Sequence, residues 1–450
     1  MNNSFVLGID PGKSFFVATL LDATGRKVWK AKQFEMSRAG FEALVWNLPP
    51  ADVTVGVEAS GRIDDNLLTY LRQWALASQG RRVKVIRINP GQSARFGGPK
   101  PRRDQTDGSD SEHIAEYTRV YAHRLEAFDS DPSAQSMVRL IGERQRLIDE
   151  VAATKNRIHE QLLVCFPEFT QVFPDPFAKL AVAVLRRAPT ARHTAHRRAL
   201  SLARIRSDRR GCSLGIERAQ RLVSLAERSI ASATSAQDAD ALIFLLDQLE
   251  LLQKRVASIE KTLADYVRQA KVESAPSVAD GVSAARQIEL LDSLPGMGLV
   301  AAASLVLGSR GITRFCSGKA MAAQWASCPE RMQTGTSLNK TRLTARGDHK
   351  RRAMLYLSTQ VACMYDPAFA FHKWRMMQKG LCAQQAVCAA MNRMARVAWA
   401  LASKNEAYDL NRMLEQIERH HPGLWKTFVR LHENDPKLAQ KLQPWARKIA

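Results

Sequence analysis

The chain of 450 residues lacks the features that mark membrane-bound and exported proteins. It has no uninterrupted apolar stretch of about 18 residues, which is the length that a membrane-spanning helix requires. It begins Met-Asn-Asn-Ser and passes directly into an apolar strand pattern, which is not the pattern of a signal peptide. These absences predict a cytoplasmic protein with no membrane partner.

Metal-binding and nucleotide-binding patterns are also missing. The seven cysteines form no Cys-x-x-Cys pair, and the ten histidines are scattered, so we expect reduced thiols and neither a zinc site nor a disulfide framework. The segment from Gly8 to Ser14 has three residues between its first glycine and the Gly-Lys pair. A phosphate-binding P-loop needs four, so this segment is not one.

Negative charge is scarce in comparison with positive charge. Lysine and arginine number 66 against 44 acidic residues, which gives a formal net charge of +22. Such an excess attracts polyanions through counterion release and favours nucleic acid as a partner, although a solvated basic face would give the same composition. With 45% hydrophobic residues, the chain is long enough to form two or three domains.

The first part of the chain has the pattern of an α/β domain. Two apolar runs within 5–21 are joined by the turn Asp-Pro-Gly-Lys and predict two strands, with a third strand near 27–33. Helix and strand patterns then alternate, with helices near 38–46 and 63–74 and strands at 53–58 and 83–88. Three antiparallel strands followed by helix–strand units are the order expected of an RNase H-like fold.

Four acidic residues stand out in this part. Asp10 and Glu58 each end an apolar run, and Asp107 and Asp110 lie one helical turn apart. Carboxylates from two strand ends and one helix face can converge on divalent metal ions, which activate phosphodiesters through oxygen ligands of this kind. An acidic helix start can also simply complement the helix dipole. His113, one turn after Asp110, has more the pattern of a solvent-facing or capping residue than of a ligand.

A basic segment precedes the Asp107 helix. Residues 89–106 are rich in glycine and proline and contain Arg102 and Arg103, a composition that suits contact with phosphates.

Asp10, Glu58 and Thr106-Asp107-x-x-Asp110 resemble the acidic tetrad of the DEDD transposases of bacterial insertion sequences. This family includes Piv-type DNA invertases and recombinases guided by a bridge RNA. The resemblance spans about 1–403 and implies a RuvC-like domain, bound Mg²⁺, a DNA substrate and, in one branch, a structured guide RNA. The family usually has Lys-Thr-Asp-x-x-Asp-Ala, whereas this chain has Gln105 and Ser111 at the flanking positions.

The middle of the chain predicts two long helices. One covers roughly 135–165, and the other carries a seam of apolar residues spaced three and four apart, as in a coiled coil. The helices could pair within one chain or between chains, and the resemblance implies a homo-oligomer, a dimer or tetramer. The seam consists of Leu242, Leu245, Leu249, Leu252, Val256, Ile259, Leu263 and Tyr266.

Between these helices, residues 186–210 hold nine arginines against one acidic residue. Such a run suits contact with a nucleic-acid backbone, and Arg197 and Arg198 lie at its centre.

The third region resembles the C-terminal transposase domain of the same family. Leu294-Pro295-Gly296-Met297-Gly298 leads into an alanine-rich helix, as in a helix-hairpin-helix element whose amides face a phosphate. The family then has a Ser-Gly pair whose serine becomes linked to DNA. Here Thr334 occupies the serine position, and its methyl group restricts χ1 and crowds attack. Ser337 is an alternative nucleophile, and both residues could instead be ordinary polar turn residues.

A later motif of the family, Lys-x-Gly-Asn-x-x-Leu-Arg, corresponds to the segment from Ala345 to Arg352, in which Asp348 replaces Asn and Arg351 replaces Leu. The resemblance implies that Arg346, Arg351 and Arg352 position the DNA backbone.

We therefore predict a RuvC-like domain over 1–125, a coiled-coil and basic helical region over 126–285, a mainly helical transposase domain over 286–405 and a charged helical tail over 406–450. The predicted function is metal-dependent DNA cleavage and rejoining. Two alternatives stay open, a Holliday-junction-type resolvase that uses water, and a nucleic-acid-binding protein that has lost catalysis.

Overall fold

The computed structural model describes residues 4–94, 96, 107–128, 132–208, 211–232, 235–273, 282–334, 338–344 and 347–449. The chain divides into two compact units, Met1–Asp131 and Pro132–Ala450. The predictions for Arg102, Arg103, Ser337 and Arg346 lie outside the described residues.

The first unit contains a mixed five-stranded sheet in the order β3-β2-β1-β4-β5. The first three strands are antiparallel neighbours, and β4 and β5 run parallel to β1. This is the predicted meander followed by helix–strand units. The strands are β1 (Ser4–Pro11), β2 (Phe15–Asp22), β3 (Lys27–Glu35), β4 (Asp52–Glu58) and β5 (Val83–Ile88).

Side chains of the central strands point alternately to the two faces of the sheet, and a different layer of helices covers each face. Leu7 and Ile9 of β1 and Val55 and Val57 of β4 join one apolar core together with residues of the first two helices. The residues between them belong to the opposite face, where the fourth helix packs across β1, β2 and β4. The helices are α1 (Arg38–Trp46), α2 (Asp64–Ala77), α3 (Pro90–Ser93) and α4 (Asp107–Tyr121).

Two long helices open the second unit, α5 (Pro132–Cys165) and α10 (Ala236–Glu273). They pack against each other within the chain and run antiparallel. Two contacts show this direction: Arg144 pairs with Glu260 at 2.6 Å, and Gln161 donates to the carbonyl of Asp238 at 3.2 Å. The predicted seam is not one continuous coiled-coil interface. Its first part, including Leu242 and Leu249, belongs to one core, and its last part belongs to another core that contains Ile259, Leu263 and Tyr266.

Short helices between α5 and α10 complete the first of these cores. Arg186, one of the nine clustered arginines, pairs with Asp247 and Glu250 of α10 at 2.5 and 2.7 Å and so helps to hold this bundle together. The elements are a 3₁₀ turn (Pro167–Gln171), α6 (Lys179–Arg187), α7 (Ala191–Ala195), α8 (Ala199–Ala203) and α9 (Ile216–Glu227).

The second core is helical and includes buried Trp325, Leu355 and Met394. Beside it, a two-stranded antiparallel ribbon that the sequence analysis did not predict joins β6 (Pro329–Thr334) to β7 (Leu338–Leu343). The helices are α11 (Ala284–Asp292), α12 (Leu299–Gly308), α13 (Gly318–Gln324), α14 (His349–Tyr365), α15 (Pro367–Gln378) and α16 (Ala383–Lys404).

The charged tail has a core of its own. Trp425 and Phe428 are fully buried and pack with Phe371 of α15. The tail is therefore a packed helical element, formed by α17 (Leu410–His420), α18 (Pro422–His432) and α19 (Ala439–Ile449). None of the described helices of the chain combines the length and the apolar content that crossing a bilayer requires.

Candidate metal centre and nucleic-acid contacts

Sheet register places two of the predicted acids side by side. In the parallel pair β1 and β4, Gly8 is opposite Gly56 and Ile9 is opposite Val57. Asp10 and Glu58 follow directly on the two strands. Because side chains alternate along a strand, they share the face of Gly8 and Gly56 and not that of the apolar core.

Two glycines let α4 lie close above this face. A Cβ on Gly8 would stand 2.2 Å from the Ala115 amide nitrogen, and one on Gly56 would stand 2.0 Å from the Thr118 hydroxyl oxygen. At Gly8 the nearest atoms belong to the helix backbone, so a side chain there would require α4 to move, whereas at Gly56 they belong to the side chains of Thr118 and Ile88. The helix is further fixed to β2 by a buried hydrogen bond of 2.8 Å between Thr19 and Ser111. Since α4 begins one turn before Ser111, this close packing delivers its acidic first turn to the strand ends.

The electrostatics of Asp10 show that the four acids converge. The pKa of Asp10 is raised from 3.8 to about 6, first by burial and then by the negative charges of Asp110, Glu58 and Asp107, in that order. The structure therefore brings together all four carboxylates that the sequence pattern singled out. A half-buried cluster of like charges disfavours its own ionised form, and a bound cation would relieve that cost.

The carboxylates face one region without meeting at a point. Among the described residues, no group of three or more His, Cys, Asp and Glu side chains is close enough to hold one metal ion. Repulsion between the carboxylates favours this separation. The donor set itself is the all-oxygen, carboxylate-rich set that Mg²⁺ prefers, so the residue types fit that cation.

A serine that the sequence analysis missed controls the orientation of Glu58. The buried Ser93 hydroxyl, at the end of α3, donates to Glu58 Oε1 over 2.5 Å and also approaches the Pro90 carbonyl at 3.1 Å. His113 Nε2 lies 2.7 Å from the Ser93 carbonyl oxygen, and its ring packs against Phe96. His113 therefore supports the segment that carries Ser93. In the sequence, an Asn-Pro pair marks the start of the short helix that ends in Ser93. This pair does not indicate that the serine contacts a residue 35 positions earlier.

Thr334 is placed by the ribbon of the second unit. It is the last residue of β6 and is paired with Leu338 of β7, so three residues, 335–337, join the two strands. The residue predicted to correspond to the family's serine is thus the last paired residue of β6. Ser337 belongs to the connecting residues outside the described part of the chain.

Two predicted phosphate contacts are used inside the fold. Arg351 is largely buried and pairs with Asp348 at 3.2 Å, and burial lowers the pKa of its guanidinium. Asp348 also caps α14 by accepting from the Arg351 amide at 2.9 Å. Arg352 donates to the Thr344 carbonyl at 2.8 Å. Asp348 and Arg351 therefore form an ion pair within the first turn of α14 and help to stabilise its start.

The two hairpin glycines have different environments. Gly296 has φ +77°, and a Cβ there would stand 2.3 Å from the Ser358 carbonyl oxygen of α14. Gly298 precedes the first turn of α12, has an ordinary φ of −83° and has open space around it. The first glycine is required by packing, and the second leaves the amides of the α12 start accessible.

The basic run offers exposed cations. Arg197 and Arg198 are exposed, and neither makes an ion pair with any residue in the described ranges. Arg197 also lines a cavity of about 410 Å³ together with Arg192, His193 and His196. This part of the surface is available to a polyanion.

Two family models match parts of this chain. Residues 7–167 match a family model described as a transposase of the DEDD type of insertion sequence IS110. Residues 288–373 match a second model, described as the transposase IS116/IS110/IS902 family. The first match contains the four acids, and the second contains the hairpin glycines, Thr334 and the start of α14.

Two insertion-element proteins are similar over most of their length. The uncharacterized 44.8 kDa protein of insertion element IS116 from Streptomyces clavuligerus is 22% identical over 405 residues, which cover 88% of this chain and 94% of the relative. The uncharacterized 43.6 kDa protein of insertion element IS110 from Streptomyces coelicolor is 25% identical over 422 residues, which cover 92% and 97%.

Proposed function

Because the chain belongs to the IS110/IS116/IS902 family of insertion-sequence transposases, we propose that it cuts and rejoins DNA with Mg²⁺ held by Asp10, Glu58, Asp107 and Asp110. The first unit would then be an RNase H-like, RuvC-like domain, with which the strand order β3-β2-β1-β4-β5 is consistent.

One observation carries this proposal. Asp10 has its pKa raised to about 6 by burial and by the three other acids, which come from β4 and from the first turn of α4. The charges that shift the pKa of Asp10 all come from acids, whereas Asp64 in the same unit is paired with Arg87 at 2.7 Å. A cluster of like charges is unfavourable for the fold, and binding of a metal ion that takes part in the reaction gives it a function.

In this proposal the residues in and around the acid cluster have distinct roles. Asp10, Glu58, Asp107 and Asp110 bind the cation, which when bound neutralises developing charge on the scissile phosphate and activates the nucleophile. Ser93 orients Glu58 through its hydrogen bond, and Gly8 and Gly56 let α4 present its two aspartates.

Thr334 is the proposed nucleophile. Its hydroxyl would attack the phosphorus, form a phosphate ester with the DNA and release a deoxyribose hydroxyl. The extra methyl group relative to serine slows this step without preventing it. If Ser337 has taken over the role, the same ester forms three residues later.

The proposed partners follow from charge and family. Arg197, Arg198 and the other exposed arginines of that run would contact a DNA or RNA backbone. One branch of the family uses a structured guide RNA, and the family assembles as dimers or tetramers, so both are proposed for this chain.

The test is a suicide DNA substrate that carries the joined ends of the encoding element and whose cut strand cannot be religated. Incubation of the full chain with Mg²⁺ should give a covalent protein–DNA adduct, detected on a denaturing gel and mapped by mass spectrometry to Thr334. Thr334→Ala should abolish the adduct, and Thr334→Ser should restore it. Ser337→Ala is the matched control from the same loop.

The remaining outcomes distinguish the alternatives. Loss of the adduct in Ser337→Ala alone would move the nucleophile to Ser337. Mg²⁺-dependent cleavage that survives both substitutions would identify a resolvase that uses water. Binding of DNA or RNA with no cleavage under any condition would contradict the enzymatic proposal.

A further inference from the structure

A cavity of about 660 Å³ lies in the second unit, and neither Thr334 nor any residue of the basic run lines it. It is bounded by the start of α13, the second half of α16 and the connection to α17. Five of its lining residues are cations: Arg412 is paired with Glu406, and the other four are Lys319, Arg393, Arg396 and Lys404. None of these four was singled out in the sequence, because they are spread over 86 residues.

The four cations have no acidic partners within the described parts of the chain. The two acidic lining residues have partners other than these four cations. Glu406 pairs with Arg412 at 2.7 Å, and Asp409 caps α17 by accepting from the amides of Asn411 and Arg412. The cavity therefore has an excess of positive charge that the fold itself does not neutralise.

The pKa values of two groups at this site reflect burial and the positive potential of the nearby arginines. Burial and the charges of Arg375 and Arg396 lower the pKa of Arg393. Burial, followed by Arg393 and Arg375, lowers the pKa of His372 to about 3, so this histidine is neutral at physiological pH. Concentrating cations in a half-buried site is costly, and an anion that binds there offsets the cost.

The apolar walls of the cavity are held in place by hydrogen bonds. Trp399 donates from Nε1 to the Phe315 carbonyl at 2.9 Å, and the Tyr408 hydroxyl contacts both carboxylate oxygens of Asp366 at 3.1 Å. The site is thus preorganised, with aromatic residues beside cations. That combination suits a nucleic acid, which offers phosphates and π-faces together.

We propose that Lys319, Arg393, Arg396 and Lys404 form a binding cavity for the phosphodiester backbone of a nucleic acid. Two arginines on one face of α16, at spacing i, i+3, can contact successive oxygens of the backbone, and the two lysines lie at the rim. This site is separate from the metal-dependent chemistry proposed above, since it needs no divalent cation and no nucleophile.

The experiment measures binding by fluorescence anisotropy in EDTA, so that cleavage plays no part. Labelled single-stranded DNA, duplex DNA and single-stranded RNA of equal length form three arms, each titrated with the full chain over a series of salt concentrations. The variant Arg396→Gln/Lys404→Gln removes two exposed cavity charges. The control Lys426→Gln/Arg430→Gln removes the same charge from exposed positions of α18 that do not line the cavity.

The cavity variant should bind at least about tenfold more weakly in one or more arms. A plot of the logarithm of its binding constant against the logarithm of the salt concentration should become less steep by ~1.8. Each lost phosphate contact contributes about 0.9 to this slope on duplex DNA. The control should stay within about twofold of the parent chain. The arm with the largest loss identifies DNA or RNA as the ligand.

Equal weakening in both variants would overturn the inference, because it would show only a general effect of surface charge. An unchanged cavity variant, or a parent chain that binds none of the three ligands, would also overturn it. Thermal unfolding of each variant excludes misfolding as the cause. A chain that binds in this cavity and yet never cleaves DNA would contradict the proposed function and leave the cavity inference standing.

Discussion

The acidic region of the first unit and the Thr334 region of the second unit differ in how they use their motif residues. In the first unit, Asp10 and its three neighbours stand together with unfavourable mutual charge. In the second, Arg351 and Gly296 are used within the fold, the former by pairing with Asp348 and the latter by close packing on α14. A motif residue that the fold leaves electrostatically strained is the better guide to function, because folding alone does not explain it.

The largest effect should come from Asp10→Asn. If the acid cluster holds Mg²⁺, loss of this ligand should lower DNA cleavage by roughly a thousandfold or more, which corresponds to about 4 kcal/mol of transition-state stabilisation. The measurement is a single-turnover cleavage assay. Glu112→Gln, on the same helix as Asp107 but paired with Lys27, is the control and should keep full activity. If both variants lost cleavage activity equally, the acids of the cluster would be no more important for cleavage than other acids, and the proposal would be contradicted.

Gly8→Ala should test how α4 is positioned. Its Cβ would collide with the backbone of Ala115, so the helix must move or the sheet must distort, at a cost of about 3 kcal/mol in the free energy of unfolding. Chemical denaturation measures this cost. Gly142→Ala in α5 has open space and should instead stabilise by roughly 1 kcal/mol. A neutral Gly8→Ala would mean that α4 does not approach the strand ends this closely.

Substitutions at the two hairpin glycines should differ in their effect on the stability of the fold. Gly296→Ala requires an alanine at φ +77° and a contact of 2.3 Å with a carbonyl oxygen, so it should destabilise the fold by about 2 kcal/mol. Gly298→Ala should change stability by less than about 0.5 kcal/mol. Thermal unfolding of the two variants checks this difference. If both are equally stable, the close packing of the hairpin on α14 is not a constraint.

Ser93→Ala should weaken the metal site without breaking it. Removing the hydrogen bond to Glu58 frees that carboxylate, and loss of an outer partner of a ligand typically costs roughly 10- to 100-fold in metal affinity. The readout is the Mg²⁺ concentration for half-maximal cleavage, which should rise while the rate at saturating Mg²⁺ falls little. Ser60→Ala, near the end of β4 but not bonded to Glu58, is the control. A lower saturated rate with unchanged Mg²⁺ dependence would contradict a positioning role.

The smallest effect concerns stability. The folded-state pKa of Asp10, about 6, lies above its usual 3.8, so the ionised group disfavours the folded state. This destabilisation is absent below about pH 4, grows as the pH rises and is complete above about pH 6. In EDTA at pH 8, Asp10→Asn should therefore stabilise the first unit by about 1 kcal/mol, a figure reduced for solvent screening. At pH 3.5 the gain should vanish, and a gain that persists there would have another cause.

Much of the first unit could be predicted from sequence because its signals are local. The five strands and the helices α1, α2 and α4 follow from apolar periodicity and turn residues. The ribbon β6–β7 was missed, since its strands are polar and carry no clear alternation. The apolar seam of α10 predicted a long helix, but its division between two cores depends on which short helices pack against each end.

The sequence by itself determined the element order of the first unit, the identity of the four acids and the family. Tertiary structure alone decided that Gly8 and Gly56 lie beneath α4, that Ser93 bonds to Glu58, that Arg351 is paired and that four distant cations share one cavity. The physical reason is one of range. Periodicity and turn chemistry act over a few neighbouring residues, whereas these contacts join residues far apart in the chain, whose approach is set by strand register and helix packing.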